Sequence, residues 1–138
     1  MAPPSSGSYK IQNFLHKDRF VHMKQDHTVV GSDHGDTIEV SVKNEVLGLV
    51  TLHDKARNKY LVIDEKNGDV VGSSEPQELQ LSTESGQPND RNYLIHIMNV
   101  NEVWILNGDK DNTPIVVAPA PPPNVVDFEK KFWKFEEA

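Results

Sequence analysis

Arg19-Phe20-Val21-His22-Met23, followed by Val29-Val30-Gly31-Ser32, is restated downstream as Lys59-Tyr60-Leu61-Val62-Ile63 and Val70-Val71-Gly72-Ser73. Phe20 corresponds to Tyr60 and Val29 to Val70, and the register between the copies holds with one insertion. A third version reads Glu102-Val103-Trp104-Ile105-Leu106, then Ile115-Val116-Val117-Ala118-Pro119. Three copies of one unit in 138 residues restrict the fold more than any single motif. Each copy is too small to bury its own apolar face and must bury it against the others.

Outward from these copies the same style of sequence continues. Tyr9-Lys10-Ile11-Gln12-Asn13, Thr37-Ile38-Glu39-Val40-Ser41-Val42, Gln77-Glu78-Leu79-Gln80-Leu81-Ser82 and Trp133-Lys134-Phe135 all alternate with period two. Asn, Asp, Gly and Lys punctuate the runs, and no stretch of a dozen residues holds a 3.6-residue period. The expected strands are 8–14, 19–24, 28–32 and 37–42, then 48–53, 59–64, 69–73 and 77–82, then 92–98, 102–107, 114–118 and 131–136. Twelve short strands in three units of about 40 residues describe an all-β chain with a β-trefoil fold. A propeller would need more blades, and a β-sandwich would not explain the internal register. The domain plan is a single domain over 1–138, with a flexible lead at 1–7 and repeats near 8–47, 48–91 and 92–138.

The third repeat departs from the pattern. Val103 corresponds to Phe20, Val116 to Val29 and Trp133 to Ile38, and the offset widens at each step. The last and largest widening places extra sequence between Val117 and Trp133, in a run that includes Pro119, Pro121, Pro122 and Pro123. Prolines fix φ and lower the entropy cost of holding a loop in one shape. Such a loop suits either a projecting binding surface or a rigid wrap over the barrel end.

Bulk properties remove several function classes. Cysteine is absent, which excludes disulfides, thiolate-ligated zinc and thiol catalysis. The formal net charge of −7, with basic residues scattered along the chain, opposes binding to a phosphate backbone, so no nucleic-acid partner is expected. No apolar run approaches the roughly 18 residues that span a bilayer, and no membrane partner is expected. Met1 to Ser8 lacks an apolar core and reads as a lead, not a signal peptide.

Enzyme motifs are missing as well: there is no Gly-x-Ser-x-Gly elbow, His-Glu-x-x-His, Walker loop or Gly-x-Gly-x-x-Gly. The chain reads as a non-enzyme without cofactor or metal. Asp26-His27 and Asp33-His34-Gly35-Asp36 carry metal-ligand residue types, but they sit where Asp and Gly serve turns. Asn107-Gly108-Asp109-Lys110-Asp111-Asn112-Thr113 lacks the central Gly and distal Glu of an EF-hand and reads as a hairpin turn. His22, His53 and His96 fall in strands, as hydrogen-bonded structural histidines do. Trp104, Phe132, Trp133 and Phe135 read as core.

Tyr9-Lys10-Ile11-Gln12-Asn13 resembles the opening strand of mushroom β-trefoil proteins. The Pro-rich run before Phe132-Trp133-Lys134-Phe135 is similar to the end of mushroom serine protease inhibitors of the cospin type. That resemblance implies a cytoplasmic fungal defence protein that blocks digestive proteases, with trypsin-like enzymes as partners. Mushroom trefoils also include ricin-B-like lectins, which resemble one another through Gln-x-Trp motifs. This chain has none, so glycan binding stands as the alternative reading.

An inhibitor of this kind needs a loop held in substrate-like, extended form, so that little ordering entropy is lost on binding. A trypsin-like primary pocket carries a buried carboxylate and takes Lys or Arg. The cospin-type resemblance implies a basic residue after the second strand, where Lys24 and Gln25 stand, with Asp26 next to them. Resemblance to the mushroom cysteine protease inhibitors implies the loop Lys55-Ala56-Arg57-Asn58, with Lys55 or Arg57 suited to trypsin and Asn58 to asparaginyl endopeptidase. Plant Kunitz trefoils imply a third place, Lys43-Asn44 between the first two repeats. For each of these basic residues the simpler reading is a solubilising turn charge.

Overall fold

A computed structural model of the chain describes residues 3–84 and 92–138. Met1 and Ala2 of the expected lead, and the expected junction of the second and third repeats at Arg91, lie outside the described residues. Among the described residues the fold is all-β apart from one 3-10 turn at Phe128–Lys131. The first four strands are β1 (Gly7–Asn13), β2 (Phe20–Met23), β3 (Val29–Ser32) and β4 (Ile38–Asn44). The next four are β5 (Leu49–Asp54), β6 (Lys59–Asp64), β7 (Asp69–Ser73) and β8 (Leu79–Ser82). The last four are β9 (Asn92–His96), β10 (Glu102–Leu106), β11 (Thr113–Pro119) and β12 (Trp133–Glu137). Strands therefore form where alternation and turn signals place them, within a few residues at the ends.

Six strands close a ring through antiparallel pairs. Tyr9 of β1 faces Ile38 of β4, and Val40 of β4 faces Leu52 of β5. Val50 of β5 faces Leu79 of β8, and Leu81 of β8 faces Ile95 of β9. Tyr93 of β9 faces Trp133 of β12, and Phe135 of β12 returns to Ile11 of β1. A closed ring leaves no free edge for another strand to add to. The other six strands form hairpins, β2–β3, β6–β7 and β10–β11, which cap one end. The hairpins touch one another in turn: Thr113 of β11 faces Gly31 of β3, Val116 of β11 faces Asp69 of β7, and Thr28 bridges Val71. The layout is trefoil-like in its ring, its caps and its threefold order.

The alternation fills the ring. Ile11, Ile38, Val50, Leu52, Leu79, Ile95, Trp133 and Phe135 are completely buried, and the β1 pattern of buried Tyr9, Ile11 and Asn13 between more exposed neighbours shows the period directly. A second, smaller cluster of Leu94, Val103, Ile105 and Phe132 lies under the third-repeat insertion, with Ala118, Ala120 and Phe128 packed on it.

The repeated Val-Val-Gly-Ser motif has a packing cause where the hairpins meet. A Cβ on Gly31 would lie 2.8 Å from a Leu106 methyl at the end of β10, and one on Gly72 would lie 2.7 Å from Met23 Sδ at the end of β2. Each glycine thus admits the buried end of a neighbouring hairpin. Gly31→Val is expected to cost about 2 kcal/mol in urea unfolding, by overpacking against Leu106, and Gly31→Ala less because the methyls can shift. A loss under about 0.5 kcal/mol for the valine variant would contradict that cause.

Candidate functional site

The three basic turns singled out in the sequence do not share one place. Lys24 and Gln25 open the β2–β3 turn, and Lys55 to Asn58 link β5 to β6. Arg57 joins these two: its Nε donates to the Met23 carbonyl at 3.2 Å, one residue before Lys24. Lys43 and Asn44 end β4, whose first residue pairs with Asp54. At about 3.3 Å per residue they stand on the order of 20 Å away along the strand. Lys24, Gln25 and the 54–58 loop form one face, and Lys43 and Asn44 belong to another.

The first two are closed turns and not extended loops, and Lys43 and Asn44 are the last residues of a strand. In the first, the His27 amide donates to the Lys24 carbonyl at 2.9 Å with His27 at φ 70°, which closes a tight turn. The amide and hydroxyl of Thr28 both donate to Asp26 Oδ1, at 3.1 and 2.6 Å. The hydroxyl bond above all holds the Asp26 carboxyl below its usual value, so a fixed negative charge stands two residues from Lys24. Lys43 falls at a register shift between Val42 and Asn44 against β5, and Asn44 Oδ1 accepts the Leu47 amide at 3.0 Å.

The 54–58 loop is a short turn fixed at nearly every position. The Asn58 amide donates to the Asp54 carbonyl at 2.9 Å, and the Arg57 amide donates to Asp54 Oδ1 at 3.0 Å. The Lys55 amide donates to the Thr37 carbonyl at 3.2 Å. Asn58 takes φ 54°, the left-handed region Asn tolerates, and its Oδ1 lies 3.0 Å from His53 Nε2. His53 is itself held by Glu39, 3.3 Å from Nδ1, and by the edge of the Tyr60 ring. What remains unfixed is the tip: the Lys55 and Ala56 side chains are exposed, and the Lys55 ammonium makes no hydrogen bond or ion pair with the described residues. Lys55 and Arg57 look alike in the sequence, yet the structure commits one side chain and leaves the other in solvent.

Beneath the loop lies a cluster that the sequence did not single out. Asp54 is completely buried, and its Oδ2 has no hydrogen-bond donor among the described residues. It faces the carboxyl of Asp36, which accepts the Met23 amide at 2.9 Å and lies 2.7 Å from His22 Nδ1. Two ionised carboxylates cannot bond to each other, so the pair is joined only when one carries a proton. Burial first, then the hydrogen bond with Asp36, pushes the Asp54 carboxyl up from 3.8 to about 7. Burial alone would raise Asp36 too. The bonds from Asp54, the Met23 amide and His22 outweigh it and hold Asp36 below its usual value.

Elsewhere the structure settles several readings of residue types. His22, His53 and His96 are each hydrogen-bonded, His96 between the Ser82 hydroxyl and the Ile97 carbonyl, both at 2.8 Å. Trp104, Phe132, Trp133 and Phe135 are buried, so none offers a ring face to a ligand. The third-repeat insertion both wraps and projects. Buried Lys131 donates to the Pro121 carbonyl and pairs with Glu84, each at 2.6 Å, while Val125 and Val126 stand exposed beyond it.

No family model matches the chain, and no curated protein matches it in sequence. Solved structures match it in shape. A ricin B-like lectin of Macrolepiota procera in complex with lactose aligns with TM-score 0.80 at 16% identity, covering 98% of each chain. A proteinase inhibitor from Coprinopsis cinerea aligns with TM-score 0.74 at 10% identity, covering 98% of this chain and 99% of that one. ThreeFoil, a designed 3-fold symmetric protein, aligns with TM-score 0.75 at 12% identity, covering 96% and 99%. Likeness at this level of identity shows a shared β-trefoil-like fold and no more.

Proposed function

We propose that this chain is a β-trefoil inhibitor of trypsin-like serine proteases and that the 54–58 loop is its inhibitory element, with Lys55 entering the primary pocket. The observation that carries this reading is an exposed, uncommitted lysine at the tip of a turn whose backbone is held from both sides. Such a turn is already ordered before binding, so little entropy is lost when a partner closes on it. The pocket carboxylate of a trypsin-like enzyme supplies the matching charge. Arg57 and Asn58 are committed to Met23 and His53, and Lys24 stands beside an ionised carboxylate that such a pocket would repel.

The turn is closed where a substrate is extended. Lys55 therefore acts as a plug: its side chain fills the pocket while the Lys55–Ala56 bond stays out of line with the catalytic serine. The complex is expected to stand for hours without cleavage after Lys55, which mass spectrometry of the mixed proteins checks. A product ending at Lys55 would contradict the plug.

Sugar binding is the second reading, and the likeness to a lactose-bound lectin favours it. Against it, both tryptophans are buried and neither can serve as a stacking platform. One paired screen separates the two: titration against trypsin, chymotrypsin, subtilisin and papain beside a glycan array. Inhibition of trypsin with an empty array supports the inhibitor; glycan binding without inhibition overturns it.

A further inference from the structure

The threefold repeat supplies an internal control for the buried carboxyl under the loop. Gln12 faces Phe20, His53 faces Tyr60 and His96 faces Val103, so Asn13, Asp54 and Ile97 occupy equivalent positions. Asn13 and Asp54 are both completely buried, and each caps its following turn through Oδ1. Their second atoms differ in kind. Asn13 Nδ2 is a permanent donor and bonds the Lys130 carbonyl at 3.0 Å. Asp54 Oδ2 has no partner among the described residues and becomes a donor only when it carries a proton. The side chain within its reach is the Asp36 carboxyl, which the Met23 amide holds next to the segment that Arg57 grips. The position in the second repeat that corresponds to Asp36 is Gln77, whose Oε1 accepts the Ile63 amide at 2.7 Å as Asp36 accepts that of Met23. A neutral amide thus stands at each of these two places in the neighbouring copy, Asn13 for Asp54 and Gln77 for Asp36, and the two acids come together beneath the 54–58 loop.

We propose that the Asp36–Asp54 pair is a proton latch: one shared proton holds the 54–58 loop closed, and its loss loosens the loop. This rests on the reading of that loop as the inhibitory element and adds its regulation. The connection is direct, because Asp54 supplies the acceptors of the Arg57 and Asn58 amides and Asp36 holds the Met23 segment that Arg57 grips. The charged groups around the pair are His22 on β2, which bonds Asp36, Lys59 on β6 directly opposite Asp54, the Glu39–His53 pair one residue along β4 and β5 and so on the other face, and Lys55 and Arg57 in the loop. His22 is engaged with Asp36, and Arg57 with Met23.

The direction follows from linkage. Asp54 is held at about 7 in the closed loop and returns towards 3.8 when the loop opens into water. An acid with a raised value in the closed state favours closure at low pH, loses that advantage as pH rises between the two values, and changes nothing further above the higher one. Asp36, held low, acts in the opposite sense only below its ordinary value of 3.8. The latch therefore weakens between about pH 4 and 7 and is fully released above that range.

Hydrogen exchange of the Arg57 and Asn58 amides, corrected for intrinsic pH dependence, reads the latch without any protease. In the full chain, protection at these two amides is expected to fall at least about tenfold between pH 5 and pH 7.5 and then level off. In Asp54→Asn, which carries a permanent donor, it is expected to stay flat, and Asp36→Asn gives a second check. An equal fall in wild type and Asp54→Asn, or no fall in wild type, overturns the latch. Trypsin affinity at pH 5.5 and 7.5 is measured on the same two proteins. A pH-dependent exchange pattern with no trypsin binding at either pH sustains the latch and sinks the inhibitor reading. Trypsin binding with identical exchange in both proteins does the reverse.

Discussion

Lys55→Ala is expected to weaken trypsin binding by about a thousandfold, near 4 kcal/mol, while shifting unfolding by no more than about 0.5 kcal/mol. The separation of the two effects is the informative part. Lys55 lies exposed at the tip and gives the fold only its backbone amide, which alanine keeps. Everything its side chain contributes is therefore held for a partner. Lys55→Arg should retain most of the affinity, because a trypsin-like pocket accepts either base. Inhibition constants for the three proteins, with urea unfolding beside them, make the check. A Lys55→Ala variant that inhibits as well as wild type would move the site elsewhere, with Lys24 the next residue to test.

Trp133→Ala is expected to be the most damaging single change to the fold, costing about 4 kcal/mol and lowering the Tm by roughly 15 °C. Trp133 is completely buried where the ring closes, facing Asn13 of β1 on one side and Tyr93 of β9 on the other. Its indole N–H donates to the Trp104 carbonyl at 3.0 Å, and the two rings meet edge to face with centroids 6.1 Å apart. Truncation opens a cavity in a core that cannot collapse freely and removes a buried hydrogen bond at once. Trp133→Phe keeps most of the volume and should cost less than half as much. Chemical and thermal unfolding decide it; a loss under about 1 kcal/mol for the alanine variant would mean that the ring does not close through this residue.

The fold was readable because its signals are local and repeated. Period-two alternation, turn residues and the Val-Val-Gly-Ser copies placed the strands, and the drift of register in the third repeat located the insertion that Lys131 ties down. The basic turns could be named as well, but not told apart. Exposure of Lys55 and commitment of Arg57 depend on Met23 and Thr37, which come from the first repeat and lie beside the loop only after the ring closes. The Asp36–Asp54 pair was hidden for the same reason: its two members come from different repeats, and each reads alone as an ordinary turn acid. One trace was present. Aligning the repeats sets Asp54 against Asn13, a change from amide to acid at a position buried in both copies.

Competition at the primary pocket of trypsin tests the central claim most directly. Binding of the wild-type protein to trypsin is measured with and without a small arylamidine that occupies the pocket. If Lys55 fills that pocket, affinity falls in proportion to arylamidine occupancy, and Lys55→Ala shows no such competition. Tight binding that arylamidine leaves unchanged would contradict the account, because the protein would then hold trypsin without using its pocket.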